Sequence, residues 1–289
     1  MELAALPPLP DPLVLLDTEL VRTALLELGL LAVAGGLLGA WIVLRGLAFF
    51  AHAVGAATFP GLVAAEATGA SPRLASLALA VACAGAVERG GRAGRAPGDV
   101  ATGLLLVAAL ATGVVLASDV FESAAGAERL LFGTLIGLGG ADLATSAAAA
   151  VLAIGATIML GRSWTAVGFD PEAAPTLGIP VARADLLLLA LIAIAAVAAL
   201  PAVGALLVTS LYVVPAAVAR LLTRSVRSLL LSSAAIAAVQ GLGGLYVSLW
   251  LDVPPGPAIA VLGATAYALC AVGSALRPRP VAAPAGAIL

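Results

Sequence analysis

Side chains able to bind a metal ion are rare in this sequence, and three of them, His52, Glu66 and Gln240, lie within strongly apolar stretches. Ionisable groups inside a membrane span are costly and usually face a pathway or a partner. His52 is the only histidine of the chain, and a neutral imidazole binds zinc and similar ions. We therefore predict that His52, Glu66 and Gln240 line the pathway of a metal ion. The alternative for His52 is a hydrogen bond to a neighbouring helix.

The spacing of these residues limits what they can do together. At seven-residue steps, Arg45, His52 and Glu66 are expected on one face of a helix. His52 and Glu66 are fourteen positions apart, which is about 21 Å along a straight helix. They can therefore share one ion only if Pro60 and Gly61 break that helix sharply.

The composition places these residues in a membrane protein. Of the 289 residues, 62% are hydrophobic and 10% are charged, and the mean hydropathy is +1.15. A soluble domain is about 45–50% apolar and about 25% charged, so this chain must be surrounded by lipid. The acidic N-terminus has no basic region and does not resemble a signal peptide. We predict an all-α, polytopic bundle of transmembrane helices.

A membrane-spanning helix needs about 20 mostly apolar residues, and the apolar runs predict about eight or nine such helices. The predicted spans are 24–44, 47–69, 74–87, 100–117, 143–161, 185–200, 203–222, 228–250 and 257–275. Two are ambiguous. The run 74–87 is short, and Pro201 and Gly204 interrupt the run 185–222, which forms either two spans or one span and a re-entrant piece. Stretch 130–140 is too short to cross and is predicted to be interfacial or re-entrant.

The arginines give the chain an orientation, because cytoplasmic loops carry an excess of basic residues. They cluster at Arg89, Arg92 and Arg95, at Arg162 and Arg183, at Arg220, Arg224 and Arg227, and at Arg277 and Arg279. The opposite loops carry the acids Asp119, Glu122, Glu128 and Asp252. We predict an extracytoplasmic segment 1–23, a transmembrane domain 24–276 and a disordered cytoplasmic tail 277–289.

The polar loop 162–184 contains the signals of a short helix. Asp170 is a suitable N-cap, Pro171 a suitable first helical residue, and Glu172 adds an acid to the first turn. Gly178 would end the helix about two turns later. The helix is either an ordinary feature of a cytoplasmic loop or a coupling helix that docks on a cytoplasmic partner.

The sequence also disfavours several functional classes. It has no GxxxxGK[ST] motif, so this chain is not expected to hydrolyse ATP by itself. It has no Cys/His cluster that would imply a structural zinc site. An intramembrane hydrolase needs a nucleophile with a base or a metal cluster, which the single histidine and scattered serines do not supply. We expect neither an enzyme nor a nucleic-acid-binding protein, and no bound cofactor.

Several stretches, taken together, resemble one family. They are Gly-Ala-Trp-Ile-Val-Leu-Arg (39–45), Thr-Phe-Pro-Gly (58–61), Leu-Phe-Gly-Thr-Leu-Ile-Gly-Leu (131–138), Phe-Asp-Pro-Glu-Ala-Ala (169–174), Val-Gly-Ala-Leu-Leu-Val (203–208), Val-Pro-Ala-Ala-Val-Ala (214–219) and Asp-Val-Pro-Pro-Gly-Pro-Ala-Ile (252–259). In order and spacing they are similar to the metal ABC-3 permeases, the membrane subunits of ATP-binding-cassette importers of zinc, manganese and iron. The resemblance implies a type II ABC importer-like permease in the bacterial plasma membrane.

The resemblance also implies partners and a mechanism. A permease of this family works in the lipid membrane as a homodimer, with two cytoplasmic ATPase subunits and an extracytoplasmic metal-binding protein. ATP binding to the ATPase would drive alternating access of the pathway. The resemblance implies that segment 169–180 is the coupling helix to the ATPase. Its matching residues are Phe169, Asp170, Pro171, Glu172, Ala173 and Gly178.

At one place the sequence departs from this family. The family usually carries Gly-Asp-Ala-Leu-Ser-His before Ala-Val-Leu-Pro-Gly, and its Asp and His are taken to contact the metal. Aligned through Arg45 and Pro60-Gly61, this chain has His52 in place of that Asp and Ala56 in place of that His. We carry over only His52, as a substituted ligand. Because the carboxylate is lost and imidazole suits zinc, zinc is the first expectation for the transported ion.

Two other transport functions stay open. A permease for iron–siderophore complexes or cobalamin would need a wider and more polar cavity than these few intramembrane polar groups suggest. An ion-coupled secondary carrier usually shows paired intramembrane acids or broken-helix repeats. Glu27 and Glu66 are the acids that fall firmly within predicted spans.

Overall fold

The computed structural model describes residues 18–92, 98–120, 130–135 and 137–276. Over these residues the chain is all-helical, as predicted. The α-helices are α1 (Glu19–Leu44), α2 (Ala48–Thr68), α3 (Pro72–Arg92), α4 (Gly98–Val120), α5 (Gly140–Phe169), α6 (Val181–Val203), α7 (Val208–Leu222), α8 (Val226–Leu251) and α9 (Pro255–Ala275). A short 3₁₀ helix, Ala174–Leu177, lies between α5 and α6.

Each predicted span corresponds to one of these helices. In the part of the chain that the structure describes, seven helices are long and apolar enough to cross a membrane. The other two are α3 and α7, whose sequence signals were ambiguous. Arg73, Glu88 and Arg89 limit the apolar part of α3, and α7 has 15 residues, fewer than the about 20 that a full span needs. The run 185–222 therefore forms two helices with a short break between them.

The chain ends differ from the predicted boundaries. α1 begins at Glu19, so the predicted segment 1–23 overlaps the first turn of that helix. Residues 1–17 and the predicted tail 277–289 lie outside the described residues, and so do Arg95, Glu122 and Glu128. The placement of the two ends on opposite sides of the membrane stays a prediction.

Three helices form the centre of the bundle. Most residues of α1, α2 and α6 are buried, whereas fewer than a quarter of those in the apolar parts of α4, α5 and α9 are. α1 packs against α5, α7 and α8, and α2 packs against α3 and α4. The α1–α7 contact is close because Gly35 and Gly39 lie against Tyr212, and small residues four apart let helix backbones approach each other in a membrane. The Tyr212 hydroxyl donates to the Ala195 carbonyl oxygen (2.7 Å), which ties α7 to α6.

Segment 130–135, a helix end at 130–132 followed by irregular backbone, covers the break between α6 and α7. The backbone N–H of Thr134 donates to the carbonyl oxygen of Pro201 (2.9 Å), and the N–H of Ala205 donates to that of Leu130 (3.1 Å). Non-helical backbone is tolerated at membrane depth where the protein itself satisfies its hydrogen bonds. The first half of stretch 130–140, which was predicted to be interfacial or re-entrant, thus packs against the break between α6 and α7.

The two ends of the bundle differ in charge. One end carries Arg162, Arg183, Arg220, Arg224 and Arg227, and we call it the arginine-rich end. The positive-inside rule assigns it to the cytoplasm. Here Arg45, in the turn between α1 and α2, forms an ion pair with Asp185 of α6 (2.6 Å). At the opposite end, Arg73 of α3 forms an ion pair with Asp142 of α5 (2.6 Å).

Candidate metal pathway

His52 lies near the start of α2, half-buried, with its Nδ1 3.2 Å from the Oγ1 of Thr209. Thr209 is the second residue of α7 and lies thirteen residues before Leu222, about 20 Å along the helix. His52 is the fifth residue of α2, about 6 Å along that helix from its first residue, so the contact joins the first turns of the two helices. The hydrogen bond to a neighbouring helix, weighed as the alternative for His52, is therefore formed. It uses one ring nitrogen and leaves Nε2 without a partner among the described residues.

Helix α2 does not bring His52 and Glu66 together. It is helical throughout from Ala48 to Thr68, with Pro60 inside it, so the break that would let the two residues share an ion is absent. The expected common face with Arg45 is wrong. Gly46 has a φ of 67° and ends the helical path after α1, so Arg45 lies before α2 and turns toward Asp185.

Gln240 lies on the other side of α7. Its Nε2 donates to the backbone carbonyl oxygens of Ser210 (3.0 Å) and Ile259 (3.1 Å). These bonds tie α8 to α7 and α9, and the side chain is almost fully buried. Ser210 follows Thr209 in the chain, so His52 and Gln240 flank the first turn of α7. The part of Gln240 in a pathway stays a prediction, and its contacts give it a structural role.

Glu66 lines a cavity of about 750 Å³ at the end opposite to the arginine-rich end. The cavity lies between α2, α3, α5 and α6, and its polar lining includes Arg73, Ser76 and Asp142. Asp142 is held on both oxygens, by Arg73 (2.6 Å) and by the N–H of Gly139 (2.9 Å). The Ser76 hydroxyl is buried and has no partner among the described residues. The cavity thus contains two carboxylates. That of Glu66 has no described partner, and that of Asp142 is neutralised by Arg73.

A second carboxylate lies deeper at the same end. Glu27 of α1 is fully buried, and its Oε1 accepts a hydrogen bond from the Ser146 hydroxyl of α5 (2.5 Å). Its Oε2 has no partner among the described residues. Ser146 lies one helical turn after Asp142 on α5. The sequence identified Glu27 as an intramembrane acid, but nothing in it pointed to a partner 119 positions away.

The polar groups are spread along the bundle and do not surround one point. Among the residues that the structure describes, no three His, Cys, Asp or Glu side chains lie close enough to hold a metal ion. A pathway needs only brief coordination by few groups, since a tight site would retain the ion. Single ligands that lie far apart therefore suit an ion that passes through the bundle, and they do not suit an ion that stays bound.

The predicted coupling segment lies at the arginine-rich end. Asp170 caps it as predicted, because its Oδ1 accepts hydrogen bonds from the N–H groups of Glu172 (3.1 Å) and Ala173 (2.9 Å). Gly178, with a φ of 73°, ends it as predicted. The regular part is a 3₁₀ helix of four residues, Ala174–Leu177, and is shorter than the two turns expected. Phe169, the last residue of α5, is 77% exposed beside it.

The described residues thus form a bundle of apolar helices with a capped turn at the arginine-rich end and isolated polar groups between the helices. A family model, the ABC 3 transport family, matches residues 17–274, and the chain belongs to this family. It is therefore the multi-pass membrane permease of a metal importer in the bacterial plasma membrane, and ATP hydrolysis occurs on a separate subunit. This assignment decides against the secondary carrier and the intramembrane enzyme.

Comparisons with individual proteins agree with the family. The chain is 31% identical over 255 residues to the manganese transport system membrane protein MntC of Halalkalibacterium halodurans, covering 88% of this chain and 87% of that protein. It is 24% identical over 242 residues to the chelated iron transport system membrane protein YfeD of Yersinia pestis, covering 84% and 81%. The fold is similar to PsaBC from Streptococcus pneumoniae in complex with Fab, with a TM-score of 0.79, 22% identity and 89% and 92% coverage.

Proposed function

We propose that this permease passes a divalent transition-metal ion across the membrane by way of His52. The observation that carries the proposal is the position of His52. It is the single imidazole of the chain, it lies half-buried at the α2–α7 contact, and Thr209 occupies only its Nδ1. An imidazole with one nitrogen fixed by a hydrogen bond presents the other nitrogen in a defined direction, as in many metal ligands.

The chemistry of this position favours zinc as the ion. Imidazole suits zinc, whereas manganese prefers carboxylate, carbonyl and water ligands. The oxygen closest to His52 among its described polar contacts is the hydroxyl of Thr209, not a carboxylate. The relatives named for manganese support manganese as the competing ion. We propose that the chain admits both ions and prefers zinc.

The cavity beside Glu66, which we call the outer cavity, is the proposed entrance for the ion. Glu66 offers a carboxylate without a described partner, and Asp142 is neutralised by Arg73, so the cavity attracts a cation through one group and does not trap it. An extracytoplasmic metal-binding protein would deliver the ion to this end. Two copies of the permease and two ATPase subunits would complete the importer, with segment 169–180 docked on the ATPase.

The experiment that tests this function is uptake by proteoliposomes. The chain is reconstituted into vesicles with candidate ATPase and metal-binding subunits. The entry of zinc and of manganese is then compared between vesicles supplied with ATP and vesicles without it. We expect entry that depends on ATP and on both partners, with zinc preferred when the two ions compete. Entry at the same rate without ATP would refute the importer.

A second substrate class is favoured by one observation, the size of the outer cavity. Its volume of about 750 Å³ lies within the range of about 300–1,000 Å³ that small-molecule sites occupy, and one relative is named for chelated iron transport. In two parallel uptake experiments, the same vesicles are therefore given iron as a free ion or iron as a chelate. Uptake of the intact chelate, with no uptake of free zinc or manganese, would replace the proposal made above.

Phe169→Ala is expected to reduce ATP-driven uptake strongly while the permease still folds. Phe169 is 77% exposed beside the capped turn, so its ring contributes little to the core and is available to a partner. A buried aromatic anchor at an interface is worth about 2 kcal/mol or more, which predicts a loss of ATPase binding of about thirtyfold. Pull-down of the ATPase and uptake measure the effect. Leu276→Ala, equally exposed (79%) at the same end, is the matched control and should keep both.

A further inference from the structure

A second, smaller cavity of about 180 Å³ opens at the arginine-rich end, between the ends of α1, α5 and α7. Its principal lining residues are Trp41, Arg45, Trp164, Gly168, Phe169 and Arg220. The cavity shares no lining residue with the cavity beside Glu66, His52 does not line it, and the proposed passage of metal does not use it. Two arginines in the lining of so small a volume require an explanation.

Arg45 supplies a buried donor that has nothing to bind. Its Nη2 forms the ion pair with Asp185 (2.6 Å), and its side chain is 13% exposed. Its Nη1 is buried and has no hydrogen-bond partner among the described residues. A buried donor left without an acceptor is costly and calls for an explanation such as a ligand, an ion or a water. Arg220, exposed at the other side of the cavity, adds a second positive charge that Asp185 does not neutralise, so an anion is the acceptor that fits best.

The remaining walls are apolar. Trp41 donates its indole N–H to Thr157 Oγ1 (3.2 Å), and Trp164 donates its own to the Ala184 carbonyl oxygen (2.9 Å). Both indoles therefore present only carbon to the cavity, and they pack edge to face with their centroids 5.4 Å apart. Phe169 extends this apolar wall outward, where it is 77% exposed. A ligand that fits must be anionic on one side and apolar on the other.

Gly168 makes room for the basic side of the cavity. A Cβ at this position would lie 2.9 Å from the Cδ of Arg45, which is closer than real Cβ contacts allow. The Arg45 side chain therefore passes α5 at its glycine, and its Nη2 reaches Asp185 of α6.

We propose that this cavity binds the phosphate group of an anionic phospholipid from the cytoplasmic leaflet. Basic pockets between transmembrane helices at the cytoplasmic side are sites for such head groups. A volume of about 180 Å³ accepts a phosphate but is below the about 300 Å³ at which sites for whole small molecules begin. The indole walls of Trp41 and Trp164 suit the apolar part of a lipid next to its phosphate, which a free phosphate lacks.

Lipid binding by the purified permease tests the proposal directly and does not depend on the transported ion. Native mass spectrometry in detergent compares phosphatidylglycerol with phosphatidylcholine of the same chains, for wild type, Arg220→Gln and Arg227→Gln. Each basic residue near the membrane contributes about 1 kcal/mol to the attraction of anionic lipid, or about fivefold in affinity. We expect preferential retention of phosphatidylglycerol that falls about fivefold in Arg220→Gln and is unchanged in Arg227→Gln. Arg227 is exposed at the same end but does not line the cavity.

A second measurement needs no change to the basic residues. In Trp250→Phe, the remaining tryptophans are Trp41 and Trp164, both in the wall of the cavity. Phosphatidylglycerol brominated near the head group should quench their fluorescence more than the matched phosphatidylcholine. Equal quenching, or equal retention of the two lipids in mass spectrometry, would overturn the proposal.

Two further arms distinguish other sources of the anion. If inorganic phosphate binds to the permease while brominated phosphatidylglycerol quenches no more than the matched phosphatidylcholine, the site binds free phosphate and not lipid. If Arg220→Gln lowers ATPase binding while phosphatidylglycerol binding is unchanged, the occupant is a carboxylate of that partner. Either result rejects the lipid assignment.

Discussion

His52→Ala is expected to lower ATP-dependent zinc entry by about tenfold or more. In the proposed pathway the ring nitrogen Nε2 is the metal ligand at the α2–α7 contact, and alanine leaves only the hydroxyl of Thr209 at that point. An ion deprived of a ligand inside the bundle meets a higher barrier, because apolar surroundings do not replace its water. Initial rates of zinc uptake in proteoliposomes measure the effect, with ATP hydrolysis by the same complex recorded in parallel.

Two companion variants of α2 make this result specific. Thr68→Ala removes an exposed hydroxyl that bonds only to the carbonyl oxygen of Ala64 (2.7 Å) in the last turn of the same helix, and it should leave uptake unchanged. His52→Asp returns a carboxylate to the position and should recover uptake while shifting the preference from zinc toward manganese. Undiminished zinc uptake by His52→Ala, in protein that binds the ATPase normally, would reject His52 as a ligand.

The sequence predicted the helices well because a membrane imposes a length and an apolar composition on every span. The two uncertain runs mark real irregularities. Pro201 and Gly204 interrupt an apolar run, and the chain breaks there into α6 and the short α7. The cap at Asp170 and the stop at Gly178 were also predictable, since both depend on neighbouring residues alone. The 3₁₀ geometry between them was not, because it depends on how the turn packs.

Side-chain pairing could not be predicted in the same way. Arg45 pairs with Asp185, Glu27 with Ser146, and His52 contacts Thr209. Each pair joins helices that are far apart in the chain, and helical periodicity gives a face but not the neighbour of that face. The shared face assigned to Arg45 and His52 failed for a local reason, the positive φ of Gly46, which periodicity does not reveal.

Packing explains why polar groups are tolerated inside this bundle. Gln240 gives both its described hydrogen bonds to backbone carbonyl oxygens of α7 and α9, and Glu27 accepts one from Ser146. A polar side chain in lipid is stable only when another helix satisfies it. The same residues that a pathway could use therefore also join α8 to α7 and α9, and α1 to α5. A functional assay of Gln240 or Glu27 must be accompanied by a stability measurement.

Gly39→Val is expected to prevent accumulation of folded permease. Any Cβ at Gly39 would overlap the backbone carbonyl oxygen of Tyr212, and a carbonyl in a helix cannot move without moving α7. The helices would have to separate, at a cost of about 3 kcal/mol or more. Yield, size-exclusion profile and thermal unfolding in detergent measure the effect. The matched control is Gly29→Val in the same helix, where a Cβ meets nothing within 4 Å and the change should stay within about 1 kcal/mol. If the two variants behave alike, the α1–α7 contact described here is wrong, and with it the position of Thr209 beside His52.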